Sequence, residues 1–82
     1  MEKSWCVYLL ECSDGSYYTG ITNDIEKRMK AHKAGKGSKY VLSRGFCCLI
    51  SFKNYPNRSE ALRVEYKIKQ MSRDEKLRFF VD

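Results

Sequence analysis

The 82-residue chain has no acidic residue between Lys27 and Ser59, and that gap is its most informative absence. The same stretch carries Lys27, Arg28, Lys30, Lys33, Lys36, Lys39, Arg44, Lys53 and Arg58, against a formal net charge of +6 for the whole chain. One side of the molecule is therefore expected to be positive, as a surface for a polyanion would be. No apolar run approaches the roughly 20 residues that cross a bilayer, so no membrane partner is expected. The Met1-Glu2-Lys3-Ser4 start is expected to carry no export signal. There is one proline, no internal repeat, no low-complexity tract and no linker. A single domain over 1–82 follows, too small for more than a thin core.

C-x2-C pairs are absent as well, which excludes the common zinc sites. Cys6, Cys12, Cys47 and Cys48 lie in apolar stretches, and adjacent residues on a strand face opposite ways. They are expected to be reduced, core-filling thiols of a cytoplasmic protein.

What is present reads as alternating strand and helix signals. Trp5 to Cys12 is strand-like, Ser13-Asp14-Gly15 is a turn, and Ser16 to Thr22 is the returning strand. Asn23 with Glu26 resembles a capping box opening a helix to about Ala34, with Gly35 at the left-handed C-terminal position. Lys36 to Gly45 looks like a basic, flexible connection. Phe46 to Phe52 reads as a third strand, apolar enough to be covered on both faces. Asn57 with Glu60 and Ser72 with Glu75 open two further helices. The expected fold is α+β: a small sheet and three helices in the order β-β-α-β-α-α.

Three polar features sit where apolar residues belong. Arg28 and His32, one helical turn apart, border the only apolar stripe of the first helix, so their side chains can converge on one ligand. A hydrogen-bonded core histidine is the plainer reading of His32, and Arg28 can also reach water from the stripe edge. Glu65 lies between Ala61 and Leu62 on the sheet-facing side of the second helix, where an unpaired carboxylate costs several kcal/mol. It requires a cation: Arg28, a lysine or a metal ion. In the hairpin, a three-residue loop with Gly15 left-handed sets Tyr18 opposite Leu10 and Tyr8 opposite Gly20. Tyr8 and Tyr18 then become diagonal neighbours on one face. Taken alone, two such tyrosines are ordinary core residues.

Those residues, in that order, resemble the GIY-YIG nuclease superfamily. The two signature tripeptides would be Cys6-Val7-Tyr8 and Tyr18-Thr19-Gly20. Gly20 to His32 looks like the family segment that carries an arginine and, four residues later, a histidine, here Arg28 and His32. Glu65, within Ala-Leu-Arg-Val-Glu-Tyr-Lys, matches the family's metal-binding glutamate. The first tripeptide keeps only its tyrosine, and the second has Thr for Ile. Where many members carry an asparagine after the glutamate, this chain has Leu77-Arg78-Phe79-Phe80. The resemblance spans essentially the whole chain and is closest to the small stand-alone bacterial members, a group of largely unassigned function. It implies a three-stranded antiparallel sheet flanked by helices.

The activity implied is metal-dependent hydrolysis of phosphodiester bonds in nucleic acid, DNA being the first expectation. Glu65 would hold one Mg²⁺ or Mn²⁺ and Arg28 a phosphate oxygen. The base would be Tyr8, with nearby cations lowering its pKa, or His32. Tyr18 would orient water or phosphate. Lys33, Lys36, Lys39 and Arg44 would meet phosphates, with Tyr40 free to stack on a base. The competing expectation is a non-catalytic nucleic-acid-binding module on the same scaffold. A monomer is expected, and a protein partner is a possible source of specificity, since no accessory domain supplies it.

Overall fold

The computed structural model describes residues 4–81; Met1 to Lys3, most of the start expected to lack an export signal, lie outside the described residues. Strand β1 (Trp5–Cys12) and strand β2 (Tyr17–Thr22) form an antiparallel hairpin. Its turn is the expected one. Gly15 has φ 85°, its N–H donates to the Cys12 carbonyl at 3.0 Å, and the Cys12 N–H donates to the Ser16 carbonyl at 2.8 Å. Gly15 is needed there because a side chain disfavours a left-handed backbone. The register follows, with Tyr8 opposite Gly20 and Leu10 opposite Tyr18. Strand β3 (Phe46–Tyr55) pairs antiparallel with the other side of β1, so the sheet order is β2-β1-β3.

Helices α1 (Ile25–Lys33), α2 (Lys39–Arg44), α3 (Arg58–Lys69) and α4 (Arg73–Val81) complete the α+β fold. Asp24, one residue after the expected Asn23, caps α1 by accepting from the Lys27 N–H at 3.2 Å. Asn57 caps α3 at 2.9 Å, and Ser72 and Glu75 cap α4 reciprocally at 3.1 and 3.3 Å. The one added helix is α2, in the segment expected to be a flexible connection. Ser38 caps it and Val41 anchors it in the core. A helix of six residues is too short to show a helical period.

Alternation along β1 divides the core. Val7 and Leu9 pack with Ala61, Ile68 and Phe80 of α3 and α4. Tyr8, Leu10 and Cys12 pack with Val41 and, at the margin, with Ile25, Met29 and Tyr18. No residue of β3 is fully buried, which corrects the expectation that both of its faces are covered. The strand leaves Phe52, Cys47 and Cys48 exposed, lies at an edge of the sheet, and its register slips twice against β1. Cys47 and Cys48 therefore do not fill the core. Cys6 and Cys12 do, and burial pushes both their thiols up in pKa, away from the reactive thiolate. Among the described residues no helix is long and apolar enough to cross a membrane.

Candidate functional site

The hairpin and α1 bring four of the expected residues together. The Tyr8 and Tyr18 rings lie with centroids 6.3 Å apart. Gly20 makes the room: a Cβ there would stand 2.5 Å from the Tyr8 hydroxyl oxygen, so the phenol lies across the glycine. From α1, His32 is only 3% exposed, and its Nε2 is 2.9 Å from that hydroxyl. Its ring stands edge-on to Tyr8 and Tyr18 and lies parallel to Phe46 at 6.2 Å. Gly37, in the α1–α2 connection, closes against it; a Cβ there would be 2.5 Å from His32 Nδ1. The Gly37 carbonyl in turn accepts a long hydrogen bond, 3.5 Å, from Arg28 Nη1. His32 Nδ1 and Thr19 Oγ1 are buried without a hydrogen-bond partner.

Burial dominates the electrostatics. The Tyr8 phenol is pushed well above its ordinary pKa, first by burial and then by Tyr18; Arg28 opposes this and Glu65 adds to it. Arg28 does lower this pKa, as expected of a nearby cation, but one guanidinium does not outweigh the desolvation. The His32 imidazole is pushed down, by burial first and by Arg28 second. Near neutral pH the couple is therefore a neutral phenol beside a neutral imidazole.

A pH prediction follows from His32. A histidine whose pKa is depressed on folding binds its proton more readily in the unfolded chain. Its stabilising contribution is full above the ordinary value of about 6.5 and is lost as pH falls from there toward the folded pKa. Thermal unfolding followed between pH 8 and 5 should show the midpoint falling on the acid side. In His32→Gln the fall over that window should be shallower.

Glu65, on α3, acts on Tyr8 through its charge, and its side chain is 17% exposed. The cation it requires is Lys69, one turn along α3, at 3.5 Å. Arg28 is directed to Gly37 instead. Among the described residues no three His, Cys, Asp or Glu side chains gather as a metal cage. One accessible carboxylate fits a hard divalent cation that keeps several waters and takes further oxygens from a substrate.

The expected nucleic-acid contacts divide in two. Lys33, Lys36 and Lys39 are exposed. Tyr40, expected to be free, stacks on Tyr18 at 5.5 Å, and the Arg44 guanidinium lies 4.4 Å from its ring centre. Arg44 also pairs with Asp14 at 2.8 Å, so its charge is already compensated. Asp14, Phe46 and Gly37 are the participants that sequence reasoning missed. No local pattern links Asp14 to Arg44, 30 residues away. Gly37, which has an ordinary backbone, gives no turn signal.

The model of the GIY-YIG catalytic domain matches residues 4–78. The UPF0213 protein BH0048 of Halalkalibacterium halodurans is 49% identical over 70 residues, covering 85% of this chain and 74% of that protein. The UPF0213 protein Reut_B5558 of Cupriavidus pinatubonensis is 46% identical, covering 96% of this chain and 88% of that one. The solution NMR structure of protein EF2693 from E. faecalis superposes with a TM-score of 0.65 at 35% identity, over 95% of this chain and 83% of that one. That of BH0048 from Bacillus halodurans does so with a TM-score of 0.58 at 45% identity, over 93% and 81%.

Proposed function

The chain belongs to the GIY-YIG family, and on that premise we propose that it is a divalent-metal-dependent endonuclease that hydrolyses phosphodiester bonds of nucleic acid, DNA first. The observation that carries this reading is the 2.9 Å contact between the Tyr8 hydroxyl and His32 Nε2, with Arg28 and Glu65 both acting on the same phenol. A buried phenol held protonated cannot start as a phenolate base, but it can relay a proton. As water attacks phosphorus, its proton passes to the Tyr8 oxygen while the Tyr8 proton moves to His32 Nε2. Charge then appears on an imidazolium beside the anionic phosphate rather than on an isolated phenolate. Tyr8 and His32 would thus act as two halves of one base, joined by the 2.9 Å contact between them.

Arg28 holds a non-bridging phosphate oxygen, where negative charge grows in the transition state. Tyr18, against both rings of the couple, fixes their orientation. Glu65 would hold a single Mg²⁺ or Mn²⁺, which supplies charge neutralisation and stabilises the leaving oxygen. Lys69 must then release the carboxylate, a small cost for a partly exposed pair. Exposed Lys33, Lys36 and Lys39 attract the polyanion from around this site.

The test is Mg²⁺-dependent cleavage of supercoiled, single-stranded and branched DNA and of RNA, with Glu65→Gln and Arg28→Ala beside the wild type. Cleavage should be lost in Glu65→Gln and reduced on the order of 10²–10³-fold in Arg28→Ala. No cleavage of any substrate, with salt-sensitive binding unchanged in Glu65→Gln, would make the chain a binding module and Glu65 a structural partner of Lys69.

A further inference from the structure

A run of planar side chains leads from the buried couple to the surface. The His32 ring is 5.9 Å from Tyr18, Tyr18 stacks on Tyr40 with planes 29° apart, and the Arg44 guanidinium covers Tyr40 at 4.4 Å. Arg44 is also held from the side. Its Nη1 meets Asp14 Oδ2 at 2.8 Å, and Asp14 is itself fixed by the amide and hydroxyl of Ser16 at 3.0 and 2.6 Å. The backbone clamps the same two elements, since the Ser13 N–H donates to the Gly45 carbonyl at 2.9 Å. The guanidinium is therefore held in place, yet its side chain is still 43% exposed.

Its chemistry argues against a phosphate contact. The Ser16 hydroxyl and amide, then Arg44, hold the Asp14 carboxyl down to about 2, so a phosphate arriving here meets a carboxylate together with the guanidinium. What remains of Arg44 is a rigid plane of compensated charge, and guanidinium planes stack on nucleobases. A base inside a duplex already has both faces covered by its neighbours, so the matching ligand is an unpaired one. We propose that Arg44, stacked on Tyr40 and tied to Asp14, is the platform for an unpaired nucleobase of the strand whose phosphate lies at Arg28. This rests on the nucleic-acid reading of the site and adds to it the structural state of the substrate. Lys36, just before α2, and Lys39, its first residue, are both exposed and placed for the backbone of that strand.

The test is fluorescence anisotropy in EDTA, so that no probe is cut. The probes are a labelled single-stranded DNA 12-mer, the same sequence as RNA, the matching DNA duplex, and a 12-mer abasic throughout. Wild type should bind a base-bearing single strand about tenfold more tightly than the abasic one, the range expected for one stacked base. It should also prefer that strand to the duplex. Selectivity on the DNA probe, the RNA probe or both identifies which strand supplies the base. Arg44→Lys keeps the charge and loses the plane, so it should bind the abasic probe as wild type does and lose the selectivity for bases. The proposal is overturned if wild type binds base-bearing and abasic strands equally, or if Arg44→Lys keeps the selectivity. It is also overturned if Arg44→Lys weakens both probes by the same factor, the mark of a phosphate contact. In each of those cases binding itself persists and the nuclease reading stands. Absence of binding to all four probes at low salt overturns the platform as well, and the Mg²⁺-dependent cleavage assay decides the nuclease reading separately.

Discussion

Replacing Tyr8 with phenylalanine should lower the rate of cleavage by on the order of 10²–10⁴, the range for losing a positioned acid–base group, while the fold is kept. The ring stays, its place across Gly20 is relieved rather than crowded, and only the hydroxyl is lost. That hydroxyl is the partner of His32 Nε2, and Nδ1 already has none, so both ring nitrogens would be buried and unsatisfied. A loss of stability of about 1–3 kcal/mol is expected for one unsatisfied buried polar group. Single-turnover cleavage at saturating substrate, beside urea unfolding, separates the two effects. Cleavage within a few-fold of wild type would show that the proton does not pass through Tyr8.

The second large effect is expected at Gly37. A methyl group there would meet Nδ1, Cε1 and Cγ of His32 at 2.5, 2.7 and 2.8 Å. The imidazole cannot swing away, because Tyr8, Tyr18 and Phe46 lie against it. The backbone of residue 37 must shift instead, and its carbonyl carries the hydrogen bond from Arg28. Gly37→Ala should therefore disturb the proton acceptor and the phosphate-binding arginine together, lowering cleavage by on the order of 10³. Overpacking should cost about 1–3 kcal/mol of stability. Gly37 is not among the glycines with positive φ, so backbone strain contributes nothing to this expectation. In His32→Ala the ring is gone, and adding Gly37→Ala should bring no further loss of stability. A full additional loss would place the clash elsewhere.

Much of this site is legible in the chain because its determinants are short-range. Gly15 sets the turn, the turn sets the register, and the register puts Tyr8 and Tyr18 on one face beside Gly20. The spacing of Arg28 and His32 places them one above the other on α1. The Asn57 and Ser72 caps start α3 and α4 where the pattern has them. Each of these depends on residues a few positions apart, where backbone geometry leaves few choices.

Other features required the packed molecule. Whether Phe46 to Phe52 is covered depends on what packs on its two faces, and the fold leaves Cys47, Cys48 and Phe52 exposed there. Glu65 needs a cation in any fold, but only the packing sends Arg28 to Gly37 and leaves Lys69 for the carboxylate. Tyr40 and Arg44 are engaged by Tyr18 and Asp14, residues more than 20 positions away in the chain. The protonation of the Tyr8–His32 couple belongs here too. Residue types set the ordinary pKa values, whereas burial, a property of the whole packed core, moves the phenol up and the imidazole down. Periodicity and turn chemistry, both local, place these groups on a common face. Which of them meet, and in what charge state, is set by packing, because both depend on the water excluded by distant parts of the chain.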